Sequence, residues 1–404
     1  MKKALVYYLY GNRNAGDMAI CAGTIEFLKK CGYEITMVSR FSEAEEEYWK
    51  SKEYISEYYP EVKVYPGPFS FERNFSVLKK LLSYGVSMLK VAGLIPDKRL
   101  KQLIKEADVV FFNGGNLLRG ASIADYLRLF ALFYPIKTAY SMKKTVYCLP
   151  QSTAKTSRLG KNILAKYLAC FKTVYVREEI SFKELKKLFP QIPFELATDM
   201  AFFCEDNAIA VNKYSGLQLP DAGKTIAVVV RNTGIGDIGE LSTEKQDKLV
   251  QTLLAFVKTH KDYNYLIVIQ TEKDRTFSEK LNLLINNIAP TCMIENHDPL
   301  VLREIYRHTD VLLTMRLHAG ILALSARTPV MGLFSEEWGL KNSGIMRDYD
   351  MPFVIVENDE DKVPVMPTDT QRASIIKNRE RYLETLNAVF ESEIKCCFKA
   401  VGRL

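Results

Sequence analysis

Thr309-Asp-Val-Leu-Leu-Thr-Met-Arg-Leu-His-Ala-Gly-Ile-Leu-Ala-Leu-Ser-Ala-Arg-Thr-Pro-Val-Met-Gly-Leu-Phe334 reads as strand, turn, helix and strand. Asp310 to Thr314 is a short run rich in β-formers, Ala319 to Ala326 is small and apolar at helical spacing, and Thr328-Pro329 restarts a buried run from Val330. The turn therefore places Arg316 and His318 at the carboxyl end of a strand, just before a helix. Free backbone N–H groups and the helix dipole favour an anion at that point, and open α/β sheets bind ligands there. An isolated Arg-x-His is more often a capped helix start with a surface arginine, so the rest of the chain has to carry the functional reading.

Working outward, strands and helices alternate throughout. Ala4 to Tyr10 is a buried strand, Gly11-Asn-Arg-Asn-Ala-Gly-Asp17 a polar loop, and Met18 to Lys30 an amphipathic helix stopped by Gly32. Asp17 reads as that helix's N-cap, and Asn12, Arg13 and Asn14 beside it offer donors for hydroxyls. The loop lacks both G-x-G-x-x-G and a Walker lysine, so a dinucleotide or P-loop site is not expected there. Ser42-x-x-Glu45 reads as a capping box for the helix that follows. Ala107 to Phe112 leads into the loop Asn113-Gly114-Gly115-Asn116, where missing Cβ atoms let backbone approach a ligand. Further strands end at Pro150-Gln151, at Arg177 and at Asp199, so polar groups at Asn14, Asn113, Gln151, Arg177 and Asp199 are expected on one rim.

Residues 205–223 read as a linker, after which a second series begins with Thr225 to Val230 and Arg231-Asn232. Two series of strand alternating with helix imply an α/β fold of two Rossmann-like domains, each a parallel sheet covered on both faces, with the site expected in a central cleft. A final helix near 370–393 is expected to cross back. A chain of 404 residues also exceeds what one core supports.

Composition narrows the classes. Net charge is +7 and the pI about 8.8, which suits anionic partners. The basic residues are dispersed, with no finger, basic arm or RNA-binding aromatic motif, so a nucleic-acid partner is not expected. Eight cysteines form neither a C-x-x-C pattern nor a disulfide framework and suit a reducing cytoplasm. His260, His297 and His308 fall in separate surroundings and Glu357 to Asp361 reads as a solvated loop, so no metal site is expected. No apolar run reaches the roughly 18 residues of a membrane span. The stretch Phe69 to Leu100 carries large apolar residues interleaved with Arg73, Lys79, Lys80, Lys90, Lys98 and Arg99. It reads either as a helix pair closing over the sheet or as a basic amphipathic surface for an anionic membrane.

Several motifs together resemble the polysaccharide pyruvyl transferase family over about residues 4–350: Gly11 to Ile20, Asn113 to Leu118, Gln151-Ser152, Val176 to Ser181, Thr198 to Phe202, Val230-Arg231-Asn232 and Arg316-Leu-His318-Ala319, in the family's order. Lys341-Asn-Ser-Gly344-Ile-Met346 is similar to its Lys-x-x-Gly-Phe-Met segment, displaced by an insertion around Glu336 to Leu340. Asn113 replaces the first glycine of the family's triple-Gly turn, Thr153-Ala154 its Gly-Pro, and Glu178 the aspartate of its Arg-Asp.

The resemblance implies a fold similar to GT-B glycosyltransferases. It also implies transfer of the enolpyruvyl unit of phosphoenolpyruvate onto two hydroxyls of a sugar, giving a cyclic ketal and phosphate, with phosphoenolpyruvate as co-substrate and no cofactor. Residues 1–205 would then take the acceptor, 206–370 the phosphoenolpyruvate, and 371–404 would form the returning helix and basic tail. Arg316, His318, Arg231, Arg177 and Lys341 would hold the donor, whose roughly three negative charges call for guanidinium forks. Asn12, Asn14, Asp17, Asn113, Gly114, Gly115 and Gln151 would meet the acceptor.

His318 is the expected acid, since an ordinary histidine titrates near about 6.5 and a bound trianion would raise it. Asp17 or Asp199 is the expected base. The family's acceptors are commonly carried on a polyprenyl diphosphate, so segment 69–101 and the tail Lys395 to Lys399 are expected to touch the inner face of a membrane. Two other readings fit the same pattern: a nucleotide-sugar glycosyltransferase of the GT-B type, and a non-catalytic sugar- or anion-binding subunit of a polysaccharide-assembly complex.

Overall fold

The computed structural model describes residues 1–69, 77–217, 223–234, 239–359, 362–375 and 377. The chain forms two compact units, one of Met1–Arg13 with Ile20–Phe203, the other of Asn14–Ala19 with Cys204–Leu404. Grouping of Asn14–Ala19 with the second unit is a feature that periodicity does not encode. The final helix expected near 370–393 and the tail from Lys395 fall largely outside the described residues.

The first unit runs β1 (Lys2–Leu9), α1 (Ala15–Lys30), β2 (Tyr33–Ser39), α2 (Glu46–Tyr58), β3 (Lys63–Tyr65), α3 (Val77–Val91), α4 (Lys98–Glu106) and β4 (Val109–Phe112). It continues through β5 (Gly115–Gly120), α5 (Ile123–Ser141), β6 (Thr145–Thr156), α6 (Arg158–Leu168), β7 (Thr173–Val176), α7 (Glu179–Leu188) and β8 (Phe194–Leu196). Its parallel sheet has the order β3-β2-β1-β4-β6-β7-β8, with β5 added on β6. Two local readings change. The residues after Asn113 form β5 instead of staying a loop, and β6 continues past Gln151 because β5 pairs with it there. The helix expected to start at Ser42 begins after Glu45, which makes no side-chain cap. The Glu45 carboxylate instead accepts from Ser42 N at 2.9 Å, half of a capping box placed before the helix.

The second unit begins with α8 (Ala208–Ser215), a helix inside the stretch read as linker, N-capped by Asn207. There follow β9 (Thr225–Val229), α9 (Thr243–Thr259), β10 (Asn264–Ile269), α10 (Arg275–Asn286), β11 (Thr291–Glu295), α11 (Pro299–Arg307) and β12 (Val311–Thr314). The last elements are α12 (Leu317–Ser325), β13 (Val330–Phe334), α13 (Leu340–Asp348) and β14 (Phe353–Ile355). The sheet is parallel in the order β11-β10-β9-β12-β13-β14.

Burial explains both sheets. Ile226 to Val229 and Val311 to Leu313 are wholly buried, as expected for parallel strands covered on both faces. Each such large aliphatic side chain contributes about 1.5–3 kcal/mol relative to exposure. The central strands are stapled alike in the two units. Asp108 accepts from Lys3 N at 2.7 Å and returns its own N–H to Lys3 O at 2.9 Å; Asp310 does the same with Thr225 at 2.7 and 2.9 Å. In each sheet the strand order therefore reverses at one place, between β1 and β4 and between β9 and β12, and crevices for ligands open at the carboxyl ends of such strands.

Candidate active site

In the second unit the register pairs Val229 with Thr314, so Arg231 and Arg316 each lie two residues beyond a paired couple at the point of reversal. Arg231 N donates to Met315 Sδ at 3.4 Å. The Thr314 hydroxyl accepts from Arg316 N at 2.9 Å and fixes the turn into α12. Arg316 Nε donates to Asp274, a buried carboxylate just before α10. Arg231 donates to the carbonyls of Thr233, at 3.0 Å, and of Gly234, and its guanidinium lies 5.3 Å from the centre of the Trp338 ring. Trp338 in turn donates from Nε1 to Thr233 O at 2.8 Å. Lys341 is half-buried on the first turn of α13.

The helix starts of this unit differ in how they are capped. Helices α8, α9 and α11 receive side-chain caps from Asn207, Ser242 and Asp298. Helices α10, α12 and α13, which follow β10, β12 and β13, have none; their N-cap residues are Asp274, Arg316 and Gly339. Their first N–H groups and dipoles add positive potential to Arg231, Arg316 and Lys341, with Asp274 as a counter-charge. Among the described residues, Asn342, 1% exposed, finds no hydrogen-bond partner through either amide atom, and neither does the buried Asn232 Oδ1. An unsatisfied buried polar group costs about 1–3 kcal/mol.

His318 lies in the first turn of α12 and is half-buried. Its ring packs on Gly16, where an added Cβ would overlap Nδ1 and fall 2.8 Å from the histidine Cβ. The Asn14 Oδ1 accepts from Gly16 N at 3.0 Å, and Asn14 Nδ2 donates to Asp17 Oδ2 at 3.1 Å. Asn14, not Asp17, therefore caps α1, because the helix begins at Ala15 and puts Asp17 inside its first turn. The motif Asn14-Ala-Gly-Asp17 and the motif Arg316-Leu-His318 thus meet, and all of these residues belong to the second unit.

The first unit treats its polar residues differently. Arg177 is buried, donating to Asp199 Oδ2 at 2.5 Å and to Ser152 Oγ at 2.5 Å, with Glu178 Oε2 at 3.8 Å. Burial alone would lower the guanidinium, but the Asp199 and Glu178 carboxylates more than offset it and hold its pKa above the ordinary value. Burial raises the Glu178 carboxyl despite Arg177. Asp199 also accepts from Ala201 N at 2.9 Å, so both of its oxygens are bonded. Arg177 and Asp199 are thus placed in an internal network instead of on an open rim, where the sequence suggested them.

Asn113 and Gln151 are also wholly buried. Asn113 Oδ1 accepts from Thr24 Oγ1 at 2.8 Å and Gly114 N at 2.9 Å; Gln151 Nε2 donates to Asn113 O at 2.7 Å and its Oε1 accepts from Leu117 N at 3.2 Å. Their amides shape the glycine turn in place of facing a rim. Gly115 has φ +140, and a Cβ there would overlap the hydroxyl of Tyr10, which donates to Gly114 O at 2.7 Å. A Cβ on Gly114 would lie 2.8 Å from Pro150 O. Asn12 is half-exposed in the loop after β1. Among the described residues no three His, Cys, Asp or Glu side chains are grouped to hold a metal.

Sequence reasoning missed Asp274, Trp338 and the amide of Asn342. Asp274 looked like any acidic residue at a helix start, whereas Asn342 stood inside the Lys341 motif and could have been singled out there.

Comparison with solved structures places the fold. The chain is similar to a UDP-GlcNAc 2-epimerase from Neisseria meningitidis bound to UDP-GlcNAc, at 14% identity and TM-score 0.53, covering 95% of this chain and 93% of that one. It is similar to a glycosyltransferase from Rickettsia africae at 13% identity and TM-score 0.55, covering 98% and 99%. The Phytolacca americana UGT2 complexed with UDP-2-fluoro-glucose and pterostilbene gives 8% identity and TM-score 0.54, covering 97% and 99%. These likenesses establish an α/β fold of the GT-B type with two parallel sheets. No curated protein matches the chain. A family model spans residues 14–333, from the loop that packs on His318 to the strand after α12. On that match the chain belongs to the polysaccharide pyruvyl transferase family.

Proposed function

We propose that the protein transfers the enolpyruvyl unit of phosphoenolpyruvate to two hydroxyls of a sugar in a cell-surface polysaccharide precursor. The observation that carries this reading is the meeting of His318 with Gly16 beside the cationic edge of Arg231 and Arg316. Phosphoenolpyruvate carries a carboxylate and a phosphate, together about three negative charges near neutrality. Guanidinium forks, Lys341 and three helix N-termini without side-chain caps suit that load.

In the proposed reaction the His318 imidazolium gives its proton to the C3 methylene, making the methyl group and an oxocarbenium-like C2. One sugar hydroxyl adds to C2, the bond from C2 to the phosphate oxygen breaks, and the second hydroxyl closes the ketal. One hydroxyl proton restores the imidazolium and the other leaves with phosphate. Asp17, half-buried on the α1 turn that packs against His318, is preferred over Asp199, which lies in the buried Arg177 network, as the base that relays a hydroxyl proton to the imidazole. Asn12, Asn14 and the backbone of Gly114 and Gly115 serve the acceptor, with Asn113 and Gln151 holding that turn. The acceptor is taken to ride on a polyprenyl diphosphate at the inner membrane face.

Isothermal titration with phosphoenolpyruvate against UDP-sugars tests the donor. Saturable binding of phosphoenolpyruvate alone supports the proposal, while selective binding of a UDP-sugar would make the protein a glycosyltransferase. A product assay by mass for the ketal, with released phosphate, separates an enzyme from a binding subunit. In deuterated solvent, label should enter the methyl group with the native enzyme and fail to enter with His318→Gln.

A further inference from the structure

The described residues of the first unit expose an apolar ridge that its fold does not need. On the later turns of α3 and in the bend that follows, Leu82, Val86, Met88, Leu89, Leu94 and Ile95 are exposed, Leu94 by 72% and Met88 by 67%. Large apolar side chains left exposed together on one helix and the bend after it mark an interface. We propose that this ridge inserts into the headgroup region of an anionic lipid bilayer, with α4 as its basic collar.

Charge argues for lipid as the occupant. Between Val77 and Glu106 stand seven basic side chains and two acidic ones. One of the acids, Asp97, is used internally: it caps α4 through Leu100 N at 2.9 Å and accepts from Lys90 Nζ at 3.1 Å. Lys90 also donates to Pro68 O at 2.8 Å, so it braces the bend and is not part of the collar. Lys98, Arg99 and Lys101 are exposed on the first turn of α4, directly after Leu94 and Ile95. Arg99 pairs with Glu43 at 2.8 Å. The carbonyl of Glu43 receives the indole N–H of Trp49 at 2.9 Å, so a half-exposed tryptophan of the kind enriched at bilayer interfaces borders the collar.

A second copy of the chain fits less well, since a two-fold contact through the ridge would bring like charges together. The nearby cavity of about 430 Å³ is lined by Glu43 and Asp97 as well as Lys90 and Arg99, a charge-balanced set, so the lipid contact belongs to the ridge.

Co-sedimentation of the full chain with phosphatidylcholine vesicles, with and without phosphatidylglycerol, tests the proposal independently of any activity. Binding should require phosphatidylglycerol and fall with salt. Lys98→Gln with Lys101→Gln should weaken it roughly 30-fold, at about 1 kcal/mol for each basic residue near the surface. Leu94→Asp with Ile95→Asp should abolish it without changing Tm, whereas Leu283→Asp, an equally exposed leucine on α10 of the second unit, should leave it intact. Absence of binding, equal binding to neutral vesicles, or indifference to the Leu94 and Ile95 changes would overturn the proposal. A dimer in light scattering that those two changes dissolve would also overturn it, giving the ridge to a second copy.

Discussion

The two sheets are stapled identically at their amino edges, by Asp108 on Lys3 and by Asp310 on Thr225, yet their carboxyl edges are built for opposite ends. In the first unit the polar residues at the strand ends satisfy one another: Arg177 with Asp199 and Ser152, Gln151 with Asn113, Asn113 with Thr24. In the second unit the corresponding edge carries Arg231, Arg316 and Lys341, with Arg316 on Asp274, Arg231 on the carbonyls of Thr233 and Gly234, and the Asn342 amide without a hydrogen bond among the described residues. A strand end followed by an arginine is thus not a ligand site in itself. What distinguishes the two is how the charge is balanced: Arg177 is buried against Asp199 with Glu178 beside it, whereas Arg316 meets Asp274 and Arg231 donates to the carbonyls of Thr233 and Gly234.

Substitutions on each side should separate accordingly. His318→Gln should lower pyruvyl transfer by about 10²–10⁴-fold, the usual contribution of a general acid, with Tm unchanged; phosphate release is the readout. Arg177→Met should act on stability instead, costing about 3–5 kcal/mol in urea unfolding because Asp199 is left buried without its partner. The folded protein that remains should bind phosphoenolpyruvate as the native chain does. Unchanged stability, or a large loss of affinity, would erase the contrast between the two edges.

Gly16→Ala should displace the imidazole and reduce kcat about 100-fold, the scale expected of an ångström of misplacement. Gly32→Ala is its control. Gly32 has φ +77 and open space around it, so alanine there should cost about 1–2 kcal/mol of stability and leave kcat alone.

The smallest effect is a pH dependence. Burial raises Glu178, so the native state holds its proton over a window in which the unfolded chain has already lost it. Stability from this group is present at low pH and is lost as pH rises through the raised folded pKa. Glu178→Gln should therefore be more stable than the native chain near neutrality, with the difference vanishing below the ordinary carboxylate range. Thermal unfolding across pH would reveal it.

The fold was legible because strands buried on both faces leave continuous apolar runs, and Arg316 and His318 were legible because they lie two residues apart at one strand end. The helix α8 was missed in a stretch rich in loop-forming residues, although Asn207 before an apolar start was a usable cap signal. The extra strand β5 was hidden by the glycines that open it. Pairings were beyond reach: Arg177 and Asp199 each read as a rim residue, and only the packing of β7 against β8 brings them together. The association of Gly16 with His318 was hidden for the same reason, since nothing in local periodicity records which distant histidine a glycine must accommodate.

Crystals soaked with phosphoenolpyruvate provide the most direct measurement. Density is expected at the carboxyl edge of β9 and β12, with phosphate or carboxylate oxygens within hydrogen-bond distance of Arg316 and the first N–H groups of α12, and the methylene carbon facing His318. Density at the Arg177 network of the first unit, or a donor bound away from Arg316 and His318, would contradict it.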